Sequence, residues 1–328
     1  MPRRIKDYLI TLSAGLCFST AVLGNQQTGP EHLTLLSRAG SVQLETHLNK
    51  AQRQWLQNKR ELVLGTASPD YPPFDLTSSG RDYEGLTADY AGLLARAVGL
   101  PIKVLRYPSR EAAISALEMG DIDLLGTSNG FEAANPNFTL SEPYAVDQPV
   151  LVTREGETRS LQDGLAGMRL ALVYHYLPLS EVEKLYPDAI IRAYPSYQNA
   201  LNAVAFDQAD VFLGDTISTH YMINKGYLKN IHMANFGKHE AYGFSFAIPQ
   251  HQGMLVSIVD AVLTAVPTNE RETITKRSSH RKSGVVSAAA DQQLQQHIQK
   301  EEAKAEHPSP REHKRVRLIT NATAEADW

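Results

Sequence analysis

Residues 61–100 read ELVLGTASPDYPPFDLTSSGRDYEGLTADYAGLLARAVGL, and this stretch decides the fold of the chain. Its opening apolar run, which ends at Gly65, predicts a short buried strand. Three prolines then predict an extended loop that carries two aromatic residues. From Thr87 the apolar residues recur at helical spacing, and Gly99 ends the predicted helix. In an open α/β sheet, ligands bind beyond the carboxyl ends of the strands, which is where this loop should lie.

The motifs VLG, PDYPPF and YEGLTADYAGLLA follow one another here as they do at the start of family 3 periplasmic solute-binding domains, which the chain resembles. The sequence PDYPPFD…DYEGLTADY is more similar still to the periplasmic flytraps of Bvg/Evg-type virulence sensor histidine kinases. The similarity extends over about residues 55–277. It implies an α/β protein with the two-lobed Venus flytrap fold, in which each lobe is a mostly parallel sheet flanked by helices and a small molecule binds between the lobes.

The composition argues against several other classes. A formal net charge of -4 gives no electrostatic basis for binding nucleic acid. The one cysteine, Cys17, lies in the leader, so neither a disulfide nor a cysteine metal site is predicted in the body of the chain. The eleven histidines form no metal-binding motif, and only His175 is expected near the cleft. Nucleotide-binding and hydrolase motifs are also missing from the sequence, and we predict no cofactor and no metal.

The ends of the chain differ from its middle. A basic start and an apolar stretch predict a signal peptide at residues 1–24, with export to the periplasm. No later segment is apolar enough over 18 residues to predict a membrane span. Residues 25–59 should form a loose segment and then a helix, and residues 60–277 the flytrap. The polar residues 278–328 predict a disordered tail. Sensor kinases continue at this point into further domains, so a free domain, a truncated product and a shifted frame after Arg277 all stay open.

An internal repeat supports two lobes of similar build. The triplet Tyr-Pro-Ser at 107–109 recurs at 194–196, in each case between a predicted strand and a predicted helix. Asp123 and Asp210 then precede the next strand in the two copies. Strand, capped helix and strand in this order form a βαβ unit with parallel strands. The resemblance implies that lobe 1 comprises about residues 60–153 and 243–277, that lobe 2 comprises about 154–242, and that the chain crosses near Thr153 and Tyr242.

The same repeat places polar residues at the cleft. Ser128 aligns with Asp215, and Asn129 follows Ser128, so these residues should border the cleft at the carboxyl ends of their strands. Asp215 could receive a ligand ammonium, as the matching acid does in amino-acid-binding relatives, or cap the helix that follows. Tyr71 and Phe74 could form an aromatic wall for a ligand or pack on their own lobe.

Two departures from the family pattern concern the ligand. Relatives carry an arginine that grips a ligand carboxylate, but residues 127–134 read TSNGFEAA, in which Glu132 would repel a carboxylate. Bulky Tyr174 and His175 stand where relatives have a small turn that suits an anion. An ordinary α-amino acid is therefore not expected. A cationic, aromatic or neutral polar ligand fits better, and so does a cleft filled by its own side chains.

Two classes of function follow from the resemblance. The first is a non-enzymatic flytrap that senses a ligand for a sensor kinase or delivers it to a permease. The second is a dehydratase-like enzyme on the same fold, which needs a general acid, with Glu132 or His175 as candidates. Such an enzyme would also need a cationic clamp for its acidic substrate. Binding is therefore favoured over catalysis, and sensing over transport because of the similarity to the sensor kinases.

Overall fold

The computed structural model describes residues 29–77, 79–146, 148–225, 228–239 and 243–279. The signal peptide predicted at 1–24 and the tail from residue 280 onward lie outside these ranges. The strands are β1 (Glu31–Leu35), β2 (Leu62–Ala67), β3 (Asp82–Tyr83), β4 (Ile102–Tyr107), β5 (Leu124–Ser128), β6 (Phe138–Leu140), β7 (Pro149–Arg154), β8 (Arg169–Val173), β9 (Ile190–Tyr194), β10 (Val211–Asp215), β11 (Ile231–Phe236) and β12 (Ser245–Pro249). The helices are α1 (Lys50–Asn58), α2 (Leu86–Val98), α3 (Arg110–Met119), α4 (Gly130–Ala133), α5 (Leu179–Leu185), α6 (Tyr197–Ala205), α7 (Thr216–Asn224), α8 (Gly253–Thr264) and α9 (Thr268–Ser279).

The strands form two sheets, and each sheet is the centre of one lobe. The first has the order β3-β1-β4-β2-β5-β12-β6 and the second the order β11-β7-β10-β8-β9. In lobe 1, β2 lies between β4 and β5 and runs parallel to both, and in lobe 2, β8 lies in the same way between β9 and β10. The predicted two-lobed α/β fold is thus confirmed, and the internal repeat describes the central unit of each lobe.

The repeated residues make the same contacts in both copies. Ser109 and Ser196 cap α3 and α6, each accepting a hydrogen bond from the backbone N–H three residues later. The carboxylate of Asp123 accepts from the backbone N–H of Val63 in β2 at 2.9 Å, and that of Asp210 accepts from the backbone N–H of Arg169 in β8 at 2.7 Å. These contacts fix the starts of β5 and β10, so that the two strand ends reach the cleft in the same way.

The sheets are mixed rather than mostly parallel, which departs from the expectation. β7 and β12 enter their sheets directly from the connections between the lobes, and both run antiparallel to their neighbours. Each begins beside the carboxyl end of a central strand, Pro149 opposite Asp215 and Ser245 opposite Ser128. A strand that enters a sheet at that edge must run back against the central strands, so the antiparallel pairing follows from the crossing between lobes.

The first crossing lies earlier than expected. β7 belongs to the second sheet, so the chain leaves lobe 1 between Leu140 and Pro149 and not near Thr153. The return crossing falls between Phe236 and Ser245, and residue 242, where it was expected, lies outside the described residues. The two connections touch each other, because the backbone N–H of Phe244 donates to the carbonyl of Ala145 at 2.8 Å.

The segment before the first predicted strand is not loose throughout. β1 pairs with β3 and β4 and extends the first sheet, with Leu33 buried. The helix expected here is α1, which begins at Lys50 after a capping box formed by Asn49 and Gln52. Among the described residues no helix has the length and apolar character needed to cross a membrane.

Candidate ligand-binding site

A cavity of about 300 Å³ lies between the lobes, at the carboxyl ends of the central strands. The two Tyr-Pro-Ser repeats face it from opposite sides, through Pro108 and Ser109 of lobe 1 and Pro195 and Ser196 of lobe 2. Its polar and aromatic lining comes from both lobes and consists of Ser68, Asp70, Tyr71, Asp75, Ser109, Arg110, Glu111, Thr127, Tyr174, His175, Ser196 and Tyr197. The cavity therefore lies beyond the carboxyl ends of the strands, where ligands bind in open α/β sheets.

Tyr71 and Asp215, two of the residues predicted for the site, contact each other across the cleft. The Tyr71 hydroxyl donates to Asp215 Oδ2 at 3.0 Å, and the Tyr71 ring lies edge-on to Tyr197 at 5.3 Å between centroids. Asp215 Oδ1 accepts from the backbone N–H of Ser218 at 2.6 Å, so the same carboxylate also caps α7. Asp215 is thus a helix cap, one of the two alternatives considered for it. It is fully buried and does not itself line the cavity, so its role towards a ligand ammonium stays a prediction. Burial raises the pKa of Asp215.

Phe74 lies in the core of lobe 1 and does not line the cavity. Its side chain is fully buried, and its ring centroid is 3.9 Å from that of Phe244. The Tyr71 ring packs edge-on against it, with 6.1 Å between centroids. Phe74 therefore supports the loop that presents Tyr71, which is the packing alternative considered from the sequence.

An arginine does reach this site, although none occurs in residues 127–134. Arg110, the first residue of α3, lines the cavity and places Nη2 3.1 Å from Ser128 Oγ. Its Nε donates to Glu132 Oε1 at 2.9 Å, and Nη1 donates to the carbonyl of Gly126 at 2.8 Å. Glu132 is fully buried and does not line the cavity. The expectation of a cleft without a guanidinium is thus wrong, because a residue that is distant in sequence supplies one.

Ser128 and Asn129 lie behind the cavity wall. Ser128 Oγ donates to the carbonyl of Leu125 at 3.0 Å, and both residues are buried. The Asn129 side chain accepts from the backbone N–H of Phe131, while Glu132 Oε2 accepts from the backbone N–H of Asn129, which forms a capping box for α4. These residues hold the strand end and the Arg110 guanidinium in place, and Thr127 is the residue of this segment that lines the cavity.

Thr127 belongs to a buried polar network that the sequence did not reveal. It has a backbone φ of 54°, a left-handed conformation that is unusual for a β-branched residue and often marks a functional position. Its hydroxyl is 2.7 Å from that of Thr87, and its N–H donates to Tyr144 Oη at 2.9 Å. Asp75 lines the cavity and accepts from the Tyr83 hydroxyl. Burial raises the pKa of Asp75. The sequence did contain one indication of Asp75 as a site residue, because it is the second of the two acids in the loop motif PDYPPFD.

Tyr174 and His175 line the lobe 2 side of the cavity. His175 Nε2 lies 2.9 Å from Oε1 of Glu111 in lobe 1, and the imidazole is edge-on to Phe131 at 4.7 Å. Burial lowers the pKa of His175 and outweighs the attraction of Glu111, while nearby Arg110 lowers it further. Tyr174 is half exposed, at 52%. His175 thus makes a second polar contact between the lobes.

In the described part of the chain, no group of three or more His, Cys, Asp or Glu side chains could hold a metal ion.

Comparison with known proteins fixes the family. The model of the bacterial extracellular solute-binding proteins, family 3, matches residues 62–301. The chain belongs to this family. This solute-binding chain is 42% identical over 269 residues to the virulence sensor protein BvgS of Bordetella bronchiseptica, covering 82% of the chain and 22% of that protein. It is 25% identical over 190 residues to the sensor protein EvgS of Escherichia coli O157:H7, covering 58% of the chain and 16% of that protein.

Solved structures agree with this assignment. The crystal structure of the periplasmic domain of BvgS from B. pertussis matches with a TM-score of 0.68 and 39% identity, over 81% of this chain and 53% of that one. The VFT2 domain of the same protein matches with a TM-score of 0.65 and 22% identity, over 71% of this chain and 99% of that one, and so shares the fold. The solute-binding chain spans about a fifth of the length of the curated sensor proteins that it matches.

Proposed function

We propose that this solute-binding chain is the ligand-sensing part of a two-component sensor kinase and that it works in the periplasm. The observation that carries the proposal is the 42% identity to a sensor protein over 82% of the chain. The basic and apolar sequence at residues 1–24 supports export. The role is binding and not catalysis, in keeping with relatives that are named as sensors.

The geometry supports sensing because polar contacts cross the cleft. The bond from Tyr71 to Asp215 and the contact of His175 with Glu111 each join lobe 1 to lobe 2. A ligand that binds at these groups changes the balance between closed and open lobes, by as much as its affinity for the two states differs. Such a change in lobe closure is a signal that a connected kinase can read.

A hybrid sensor tests the proposal. This chain's solute-binding domain would replace the aligned region of BvgS from B. bronchiseptica, and phosphorylation of the hybrid would be measured in cells. We expect a functional hybrid whose phosphorylation changes when Tyr71→Phe removes the cross-lobe hydroxyl. Tyr197→Phe is the matched control, because the Tyr197 hydroxyl donates to the Asp215 carbonyl within lobe 2.

Two results would contradict a sensing role. One is a hybrid that reaches the membrane but whose phosphorylation is the same with and without Tyr71→Phe. The other is a chain recovered from the cytoplasm with Met1 intact, which mass spectrometry of cell fractions would reveal. The alternative role is uptake through a permease. It predicts a hybrid whose phosphorylation does not respond, and a cell that lacks this chain should then grow poorly on the transported solute.

A further inference from the structure

We propose that the cavity between the lobes takes a small organic cation without a carboxylate, such as a primary amine or a guanidine. This ligand class rests on the sensing role proposed above and makes it more specific. It follows from two features: the hydrogen bonds that already engage the guanidinium of the cavity lining, and the replaceable bond on the carboxylate of Asp215.

Arg110 is poorly available to a ligand carboxylate. Its guanidinium donates to Glu132 Oε1, to the carbonyls of Gly126 and Thr127, and to Ser128 Oγ, at distances of 2.8 to 3.2 Å. Glu132 is fully buried, so a ligand that took its place on Arg110 would leave a carboxylate in the protein interior without its partner. Arg110 therefore stabilises the cavity wall through these hydrogen bonds. An acidic ligand would have to compete with Glu132 for the guanidinium.

The charged side chains around the cavity offer an anion no basic group that is not already engaged. Asp70, Asp75 and Glu111 line the cavity, whereas its described lining contributes Arg110 and His175 as basic side chains. Arg110 is bonded to buried Glu132, and Asp70 is paired with Arg106 at 2.9 Å. His175 contacts Glu111 at 2.9 Å, and burial lowers the pKa of His175 and raises that of Asp75, so both are held towards their neutral forms. An anionic ligand would therefore have to break a contact that Arg110 or His175 already makes.

Asp215 offers a bond that an amine can take over. Asp215 is fully buried and is not part of the cavity lining, but Tyr71, which does line the cavity, donates its hydroxyl to Asp215 Oδ2 at 3.0 Å. A ligand can therefore reach this oxygen when it displaces the Tyr71 hydroxyl. An ammonium or guanidinium could donate to the same oxygen, and a hydrogen bond between two charged groups is stronger than one from a neutral hydroxyl. The rings of Tyr71, Tyr174 and Tyr197 line the same cavity and can face a cation. Binding then exchanges a contact within the protein for a contact with the ligand.

Calorimetry on the purified chain with matched probes tests the ligand class. Agmatine and arginine, cadaverine and lysine, and tyramine and tyrosine differ within each pair only by the carboxylate. We expect at least one amine to bind at least about tenfold more tightly than its amino acid. Asp215→Asn should weaken that amine at least about tenfold while asparagine still caps α7. Tyr71→Phe should tighten it about tenfold, because the competing hydroxyl is gone.

The opposite signs of the two variants distinguish a ligand bond from a structural effect, since general loss of structure would weaken binding in both. The proposal is overturned if an amino acid binds as tightly as its amine, if none of the three amines binds, or if succinate binds instead. An anionic ligand such as succinate would disprove the cation class and leave the sensing role intact. Failure of both the calorimetry and the hybrid sensor would count against the sensing role itself.

Discussion

Replacing Tyr71 by phenylalanine should open the cleft. The change removes the hydroxyl that donates to Asp215 Oδ2 at 3.0 Å and keeps the ring that packs between Phe74 and Tyr197. The bond joins lobe 1 to lobe 2, so it exists only when the lobes are closed. Its loss therefore acts on the equilibrium between closed and open forms and leaves the folding of each lobe largely unchanged.

The size of the effect follows from the nature of the bond. A hydrogen bond to a charged group contributes about 1.5–3 kcal/mol, and the half-buried position of Tyr71 favours the lower part of that range. About 1.5–2 kcal/mol corresponds to a roughly 10- to 30-fold lower ratio of closed to open molecules. The buried carboxylate of Asp215 would also lose a donor, which adds to the preference for the open form, where water can reach it.

Electron spin resonance distances between the lobes measure this ratio. Met119 and Phe206 lie at equivalent, exposed positions of the two lobes, and both can be replaced by cysteine for spin labelling after Cys17→Ser. Tyr71→Phe should produce a second distance population, and Tyr197→Phe, which removes a hydroxyl bond within lobe 2, should not. Identical distance distributions for the wild type and Tyr71→Phe would refute the reasoning.

Three further predictions concern stability, measured by urea unfolding of the chain. Arg110→Met should lower the free energy of unfolding by about 3–5 kcal/mol, because it leaves Glu132 buried without its cation. Adding Glu132→Gln should recover part of the loss, and Lys276→Met, which breaks an exposed ion pair with Glu272, should cost less than about 1 kcal/mol. The pKa of His175 is lowered by burial, so the unfolded chain takes up the proton first; stability should fall as the pH drops below about 6.5, and a slope unchanged by His175→Gln would contradict this assignment. Phe74→Ala should cost about 3–5 kcal/mol, whereas an unchanged midpoint would mean that Phe74 is not a core residue.

Much of the fold could be predicted because local patterns agree with the tertiary structure. Ser109 followed by an apolar helical pattern fixed the start of α3, and glycine fixed its end. Because the same unit recurs later in the chain, the sequence predicted two lobes of similar build. β1 was missed, although Leu33 and Leu35 alternate with polar residues, because so short an alternation is a weak signal outside its sheet. The direction of β7 could not be read from sequence, since it depends on where the chain crosses between lobes.

The site was harder to predict than the fold because its partners are distant in sequence. Tyr71 and Asp215 were both expected at the cleft, but nothing local indicates that they bond to each other. Glu132 looked like a free acid in the sequence, and its partner Arg110 comes from the start of another helix. Sequence patterns report helix caps and strand ends reliably, whereas the pairing of charges depends on which elements the fold brings together.

The two lobes use the same strand order to place opposite charges at the cleft. At the end of β5, the Arg110 guanidinium of lobe 1 lines the cavity, and at the equivalent end of β10, the carboxylate of Asp215 in lobe 2 lies buried behind Tyr71. Each charge is already bonded by the protein, Arg110 by Glu132 within its own lobe and Asp215 by Tyr71 across the cleft. Opening the lobes leaves the first bond intact and breaks the second. A ligand that competes for Asp215 therefore acts directly on lobe closure, whereas one that competes for Arg110 first has to disrupt the interior of lobe 1.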